Sequence, residues 1–300
     1  MSTFNIVLLP GDGIGPEVTS AARRVLDAAV QKSSHAITCQ EYLIGGCSID
    51  RYGEPLAAEA LEAARSAHAV LLGAVGGPKW DNPGAAVRPE QGLLGLRKAL
   101  GLFANLRPVT AIDALLDASP LRREIVQGTD MLVVRELTGG IYFGEKKREG
   151  DTAFDACRYT VGEVERVTRR AAQLARGRSG KITHVDKANV LATSRLWRQV
   201  AQEIAPRYPD IETDYLFVDN AAMRIIQWPR SFDVLVTENL FGDILTDEAS
   251  VITGSLGLLP SASMGLHTSL FEPIHGSYPQ AAGKDIANPV AMILSAALMF

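Results

Sequence analysis

The sequence predicts an α/β fold, and three observations carry that expectation. Short apolar runs of strand length alternate with segments of helical period along nearly all of the 300 residues, the order that builds parallel βαβ units. Glycine, proline and asparagine cluster at the junctions, where the chain must turn. The composition, 47% hydrophobic and 21% charged, is that of a globular protein with a sizeable core, and the length suits two domains or one large unit.

Residues 6–9 (IVLL) read as a buried strand, and PGDGIGPE leads into a helix opening at Pro16, the favoured first-turn position. Val18, Ala22, Val25 and Ala29 keep helical spacing. Gly11, Gly13 and Gly15 suggest a dinucleotide fingerprint, but GxGxxG counted from Gly11 needs its third glycine where this chain has Pro16. A Rossmann fold is rejected on that ground. Two readings of the turn stay open: a connection needing positive φ, or one whose backbone also touches a ligand. A weaker strand near 37–43, a helix over 55–67 and a buried strand at 69–72 follow, then a Gly/Pro/Asn-rich loop over 76–89.

The helix expected over 90–100 puts Leu93, Leu94 and Arg97 on one face. These are either core leucines with a snorkelling arginine or a pocket for a small branched group beside a carboxylate. Arg107 stands in NLRP, held extended by Pro108, and Arg135 ends a strand at 131–134. Singly each arginine reads as a surface charge; together the three form a candidate carboxylate clamp, because guanidinium binds carboxylate in bidentate fashion. RELTGGIYFG reads as a strand, a Gly-Gly turn and a second short strand carrying Tyr142, and residues 146–150 (KKREG) as a solvated charged loop.

A helix over 162–176, a strand at 182–185, a helix over 190–205 and a strand at 215–218 continue the alternation. Lys187 in HVDKANV and Asp219 in FVDNAAM lie just past strand ends, where open α/β sheets gather ligands, although each alone also suits a helix cap or turn. In FDVLVTENLFGDILTDEAS an apolar run turns at a glycine into a helical segment with Asp243 and Asp247 four apart. Like charges at that spacing cost a helix a few tenths of a kcal/mol, so the pair is either a solvated face or a seat for a hard cation such as Mg²⁺ or Mn²⁺. Three successive strand ends thus present Lys, Asp and Asp. The last part, rich in glycine and small residues, reads as loop that lets backbone approach a flat ligand, before an apolar helix from about 290.

A net charge of −4 argues against nucleic acid, which needs a basic face. Three widely spaced cysteines without a CxxC suggest neither a disulfide framework nor a zinc site and fit the cytoplasm. No run approaches the roughly 20 apolar residues of a membrane span, and no basic, apolar leader opens the chain.

LLPGDGIGPE, GLLGLRK, NLRP, RELTGGIYFG, VDKANVL, ENLFGDILTDE and EPIHGS…GKDIANP together resemble the metal-dependent β-decarboxylating dehydrogenases, the family of isocitrate and isopropylmalate dehydrogenases, over essentially the whole chain. The resemblance implies a two-domain fold, residues 1–102 with 252–300 on the cofactor side and 103–251 on the substrate, metal and dimer side. It implies a homodimer in which Lys187 and Asp219 reach the partner's site. By resemblance Arg97, Arg107 and Arg135 bind the carboxylates of a malate-type substrate, Asp219 also borders it, and Asp219, Asp243 and Asp247 hold Mg²⁺ or Mn²⁺. Lys187 takes the C2 hydroxyl proton and Tyr142 returns one after loss of CO₂. Ile14, Glu90, Glu272, His275, Gly276, Ser277, Gln280 and Asn288 fall to NAD. HGSYPQ departs from the HGSAPD usual in NAD-dependent members, and the Lys-Tyr pair of NADP-dependent ones is absent. Leu93 and Leu94 imply an isopropyl side chain and a place in leucine biosynthesis; another 2-hydroxy diacid (an alkylmalate, tartrate or isocitrate) and an inactive carboxylate-binding fragment are the alternatives. Family chains run on past Phe300, so a truncated C-terminal part is expected.

Overall fold

The computed structural model describes residues 3–82 and 85–300 and divides the chain into two compact units, Met1–Leu102 with Leu256–Phe300, and Phe103–Ser255. The loop expected over 76–89 includes residues 83 and 84, which lie outside the described residues.

The first unit opens with β1 (Thr3–Gly11), α1 (Gly15–Val30), β2 (Ala36–Glu41), α2 (Gly46–Tyr52), α3 (Ala58–Ser66), β3 (Ala69–Ala74) and α4 (Glu90–Ala99). β1 pairs in parallel with β2 on one side and β3 on the other. The apolar runs that marked these strands are their buried residues, with Leu9, Val70 and Leu71 wholly enclosed. α2 was not expected: its sequence, GCSIDRY, is too short for helical period to show. Asp12 holds this end of the unit together. Its buried carboxylate accepts the backbone N–H of Gly46 at 2.7 Å, Cys47 at 2.8 Å and Gly76 at 2.8 Å, so the start of α2 and the loop after β3 share one anchor.

The second unit runs β4 (Ala104–Thr110), α5 (Arg123–Val126), β5 (Asp130–Glu136), β6 (Lys146–Glu149), β7 (Thr152–Asp155), α6 (Val161–Ala175), β8 (Lys181–Asp186), α7 (Ala192–Ile204), β9 (Glu212–Phe217), α8 (Val218–Gln227), β10 (Val234–Thr237) and α9 (Asn239–Ser250). Its sheet has the order β4-β5-β10-β8-β9. β4 and β5 are antiparallel and the other neighbours parallel. Val133, Val185 and Leu235 from three of these strands meet Ile225 of α8 and Leu245 of α9 in one core. On α6, Thr160 and Glu163 close a capping box and Val164, Val167 and Ala171 are buried, the spacing the sequence displays.

Beyond the second unit the chain returns to the first with β11 (Pro260–Met264), β12 (Ser269–Pro273) and α10 (Val290–Ala297). β12 lies antiparallel to β11 and parallel to β3.

Four local expectations are corrected. Tyr142 sits on a 3-10 turn, Gly140–Tyr142, instead of a second strand, because Gly140 takes φ +75° and its carbonyl accepts the N–H of Phe143 and Gly144. The charged stretch at 146–150 is half of a hairpin in which β6 pairs with β7; all eight strand residues are exposed, so no apolar alternation betrayed it. The helix bearing the two aspartates begins at Asn239, capped by the Glu238 side chain, and Gly242 lies inside it. PSASM, read as loop, is a nearly buried strand built mostly from small residues that carry little strand propensity, and it pairs with SLFEP, whose Leu270 and Phe271 are buried.

Asp12→Ala is expected to cost about 2–5 kcal/mol, since two buried N–H groups and one half-buried one lose their acceptor; urea denaturation checks it, and a loss below about 0.5 kcal/mol would show the anchor to be replaceable by water. A second expectation concerns acid. His184 on β8 is wholly enclosed, stacks on Tyr215 with ring centroids 5.4 Å apart, and has an Nδ1 without a hydrogen-bond partner. Burial, with the nearby Arg198 charge, pushes its pKa down to about 3 from 6.5. A depressed folded-state pKa means that the unfolded chain binds the proton first, so stability present above pH 6.5 drains as pH falls toward 3. His184→Phe, which keeps the stack, should flatten that part of the stability profile in denaturation curves taken from pH 7 to 4. Parallel profiles for parent and variant would refute it.

Candidate active site

In the second unit, Arg135 on β5, Arg107 on β4 and Asp243 and Asp247 on α9 come together because those elements pack side by side. Arg135 is 7% exposed and forms an ion pair from Nη1 to Asp243 Oδ1. Its Nε donates to Asn239 Oδ1 at 2.9 Å. Arg107 donates from Nε to Asn105 Oδ1 at 3.0 Å and from Nη1 to Thr246 Oγ1 at 2.8 Å, with Asp247 Oδ1 at 3.5 Å. Tyr142 donates from Oη to Asp243 Oδ2 at 2.7 Å. Burial, then the hydrogen bond and charge of Asp243, push its hydroxyl up to about 12, so the phenol keeps its proton at neutral pH.

The two aspartates project as the helical spacing requires. Asp247 is 76% exposed and Asp243 36%, and their hard oxygens one turn apart suit Mg²⁺ or Mn²⁺ better than softer metals. Among the described residues no three His, Cys, Asp or Glu side chains gather into a metal-holding group. The third expected ligand, Asp219, stands in the first turn of α8 and pairs instead with Lys187, which follows β8, at 2.6 Å. That hydrogen bond holds the Asp219 carboxyl below the usual carboxylate range. Lys187 and Asp219 therefore form a module of their own.

The remaining predicted residues lie in the first unit. Arg97 on α4 pairs with the largely buried Glu272 of β12 at 2.7 Å, joining a residue expected at the substrate to one expected at the cofactor. Leu93 is half-buried and Leu94 is 47% exposed, while Leu96 fills the core position. The reading of Leu94 as core is thereby excluded. Ile14 N–H donates to Ser277 O at 2.8 Å, which seats the His275-Gly276-Ser277 segment on the glycine-rich turn. Gly13, at φ +59°, permits that approach: a Cβ there would lie 2.0 Å from Ser277 O. His275 Nε2 is buried without a partner, as fits a loop that receives a polar ligand. Glu90 opens α4, Gln280 is exposed on the 3-10 turn Pro279–Ala281, and Asn288 accepts the N–H of Val290 at 3.0 Å at the entrance to α10.

Several residues of the second-unit site were not anticipated. Asn239, Tyr159, Glu238 and Glu136 form a buried lattice behind Arg135 and Tyr142. Only Glu238, the cap residue before the helix, carried a sequence signal, and the displaced helix start hid it. Among the described residues no helix is long and apolar enough to cross a membrane.

A family model for isocitrate/isopropylmalate dehydrogenase matches residues 5–300. The 3-isopropylmalate dehydrogenase of Rhodopirellula baltica is 58% identical over 98% of this chain and 84% of its own length. That of Bacteroides fragilis is 56% identical over 99% of this chain and 84% of its own. Among solved structures, isocitrate dehydrogenase from Methylococcus capsulatus matches with a TM-score of 0.87 and 36% identity over 99% of this chain and 84% of that one. Similarity of this depth from one end to the other means that the chain belongs to the isocitrate/isopropylmalate dehydrogenase family.

Proposed function

We propose that this protein catalyses the NAD-dependent oxidative decarboxylation of 3-isopropylmalate to 2-oxo-4-methylpentanoate in leucine biosynthesis, with Mg²⁺ or Mn²⁺, as a cytoplasmic homodimer. The observation that carries the reading is the juxtaposition of two guanidinium groups, a protonated tyrosine and two exposed aspartates on one helix face. Arginines of this kind take a dicarboxylate, and the aspartates a cation. The 3-isopropylmalate dehydrogenases at 56–58% identity supply the substrate.

The donor set fits the cation, and the buried, unpartnered Nε2 of His275 fits a dinucleotide. When bound, the cation would polarise the C2 hydroxyl and C1 carboxylate, and NAD would accept the C2 hydrogen with its two electrons. Arg107, Arg135 and Arg97 hold the carboxylates, and Leu93 and Leu94 take the isopropyl group. Lys187 Nζ, from the partner subunit, removes the hydroxyl proton. The carboxylate on C3 then lies β to a carbonyl and leaves as CO₂, and Tyr142 Oη, still protonated at neutral pH, delivers a proton to C3. The hydrogen bond between Lys187 and Asp219 supports their delivery as one module, base and metal ligand together. The decisive assay is NADH formation from 3-isopropylmalate with metal, against malate, tartrate and isocitrate.

Lys187→Met should lower kcat by a factor of about 10² to 10⁴, the usual worth of a general base, with KM less affected. Mixed with Asp243→Asn it should recover activity, because a hybrid dimer keeps one intact site; verified hybrids without recovery would exclude shared sites. Leu94→Ser should cut kcat/KM for the isopropyl substrate about tenfold to a few hundredfold. Equal losses on malate would remove Leu94 from the pocket.

A further inference from the structure

Asn239 is the first residue of α9 and 1% exposed. Its amide bonds in two directions. Oδ1 accepts from Arg135 Nε at 2.9 Å, and Nδ2 donates to Gly139 O at 3.0 Å. The orientation of the amide is determined by its partners, since the guanidinium nitrogen can only donate and the carbonyl can only accept. Gly139 immediately precedes the Gly140–Tyr142 turn. One side chain thus grips both the arginine and the base of the turn that carries Tyr142, and both of those reach the same Asp243 carboxylate.

The lattice behind it keeps Asn239 in place. Its backbone N–H donates to Tyr159 Oη at 3.0 Å, and Tyr159 Oη donates to Glu238 Oε2 at 3.0 Å. Gly139 N–H is held by Glu136 Oε2 at 2.7 Å, and a Cβ on Gly139 would meet the Tyr159 ring at 2.6 Å. The turn is therefore clamped from below by a ring and from the sides by a carboxylate and an amide.

We infer that Asn239 is a positioning residue for two steps at once, its carbonyl oxygen aiming Arg135 at a substrate carboxylate and its NH₂ holding the turn that presents Tyr142 Oη to C3. The inference rests on the proposed roles of Arg135 and Tyr142. It has a separable signature, because a carboxylate can replace one half of the amide but not the other. Asn239→Asp keeps an acceptor for Arg135 Nε and sets an oxygen against Gly139 O. Asn239→Leu, of similar size, supplies neither contact.

The experiment compares steady-state kinetics of the parent, Asn239→Asp, Asn239→Leu, Tyr142→Phe and the double variant Asn239→Asp/Tyr142→Phe, with melting temperatures and active-site titration for each. Asn239→Asp should hold KM for 3-isopropylmalate within about threefold while kcat falls at least about tenfold, and Asn239→Leu should lose at least about tenfold in both, the worth of a hydrogen bond to a charged group. The kcat loss from Asn239→Asp should nearly vanish when Tyr142 is already Phe, since both act on one proton transfer. Fully additive losses, or KM rising equally in both Asn239 variants, would overturn the inference while leaving the Tyr142 assignment standing. Lower melting temperatures with unchanged KM and unchanged kcat per active site would overturn it too, as would Asn239→Asp failing to fold while Asn239→Leu folds with parental KM. Tyr142→Phe turning over like the parent would overturn the proposed role of Tyr142 and the inference with it.

Discussion

The buried guanidinium of Arg135 sets a constraint that its surroundings in the second unit must meet. Taking such an ion out of water costs several kcal/mol unless a well-placed partner and hydrogen bonds compensate. Here Asp243 supplies the charge, Asn239 an acceptor, and the Tyr142 ring lies 5.7 Å from the guanidinium carbon. All three come from α9 or the turn facing it, so the helix must lie close to β5. Gly242 is what allows this. A Cβ there would stand 2.6 Å from Arg135 Cγ, nearer than real atoms approach. The glycine that suggests a turn in the sequence is a helix residue whose missing side chain makes room for an arginine.

Acidic residues divide by depth into two kinds of work. Glu136 and Glu238 are both pushed upward by burial, opposed chiefly by backbone N–H donors that their carboxyls accept from Thr138 and Gly139, and from Phe241. They shape backbone: one fixes the Thr138-Gly139 turn, the other starts α9. Asp12 does the same for two segments of the first unit, the start of α2 and the loop after β3. Asp219, Asp243 and Asp247 keep substantial exposure and engage cationic side chains or, at Asp243, the Tyr142 hydroxyl as well. An exposed pair with a cation contributes little to stability and is readily exchanged for a ligand. Buried acids build the frame, and on the proposed reading the exposed ones do the chemistry.

How much of this was legible follows from the same division. Strands such as 69–72 and helices such as 162–176 announce themselves because burial repeats along them at the period of the element. Position relative to strand ends also singled out Lys187, Asp219 and Asp243, since that needs only the βα alternation. What stayed hidden depends on contacts between distant segments. Asn239 acts through residues 104 and 100 positions away, and nothing near it in sequence marks that. The β6/β7 hairpin has no buried face, and β11 is made of residues so small that burial leaves no apolar imprint. The start of α9 was misplaced because a glycine inside a helix normally argues for a break, and only the facing arginine explains it here.

On the proposed reading the choice of substrate falls to very few atoms. An isocitrate dehydrogenase at 36% identity has the same fold as this chain, so the fold alone does not select the substrate. On the proposed reading the discrimination falls on α4, where Leu94 projects with 47% of its surface exposed and Leu96 is wholly buried. An apolar side chain rewards a branched alkyl group only modestly, about 1 to 3 kcal/mol. Its effect on a third carboxylate is larger in kind: that group would give up water for a leucine side chain, which has no hydrogen-bond donor to offset the cost. Selectivity of this sort works by exclusion. On that reading it is steep against charged side chains and shallow among alkyl groups of similar size, and Leu93 and Leu94 account for both slopes.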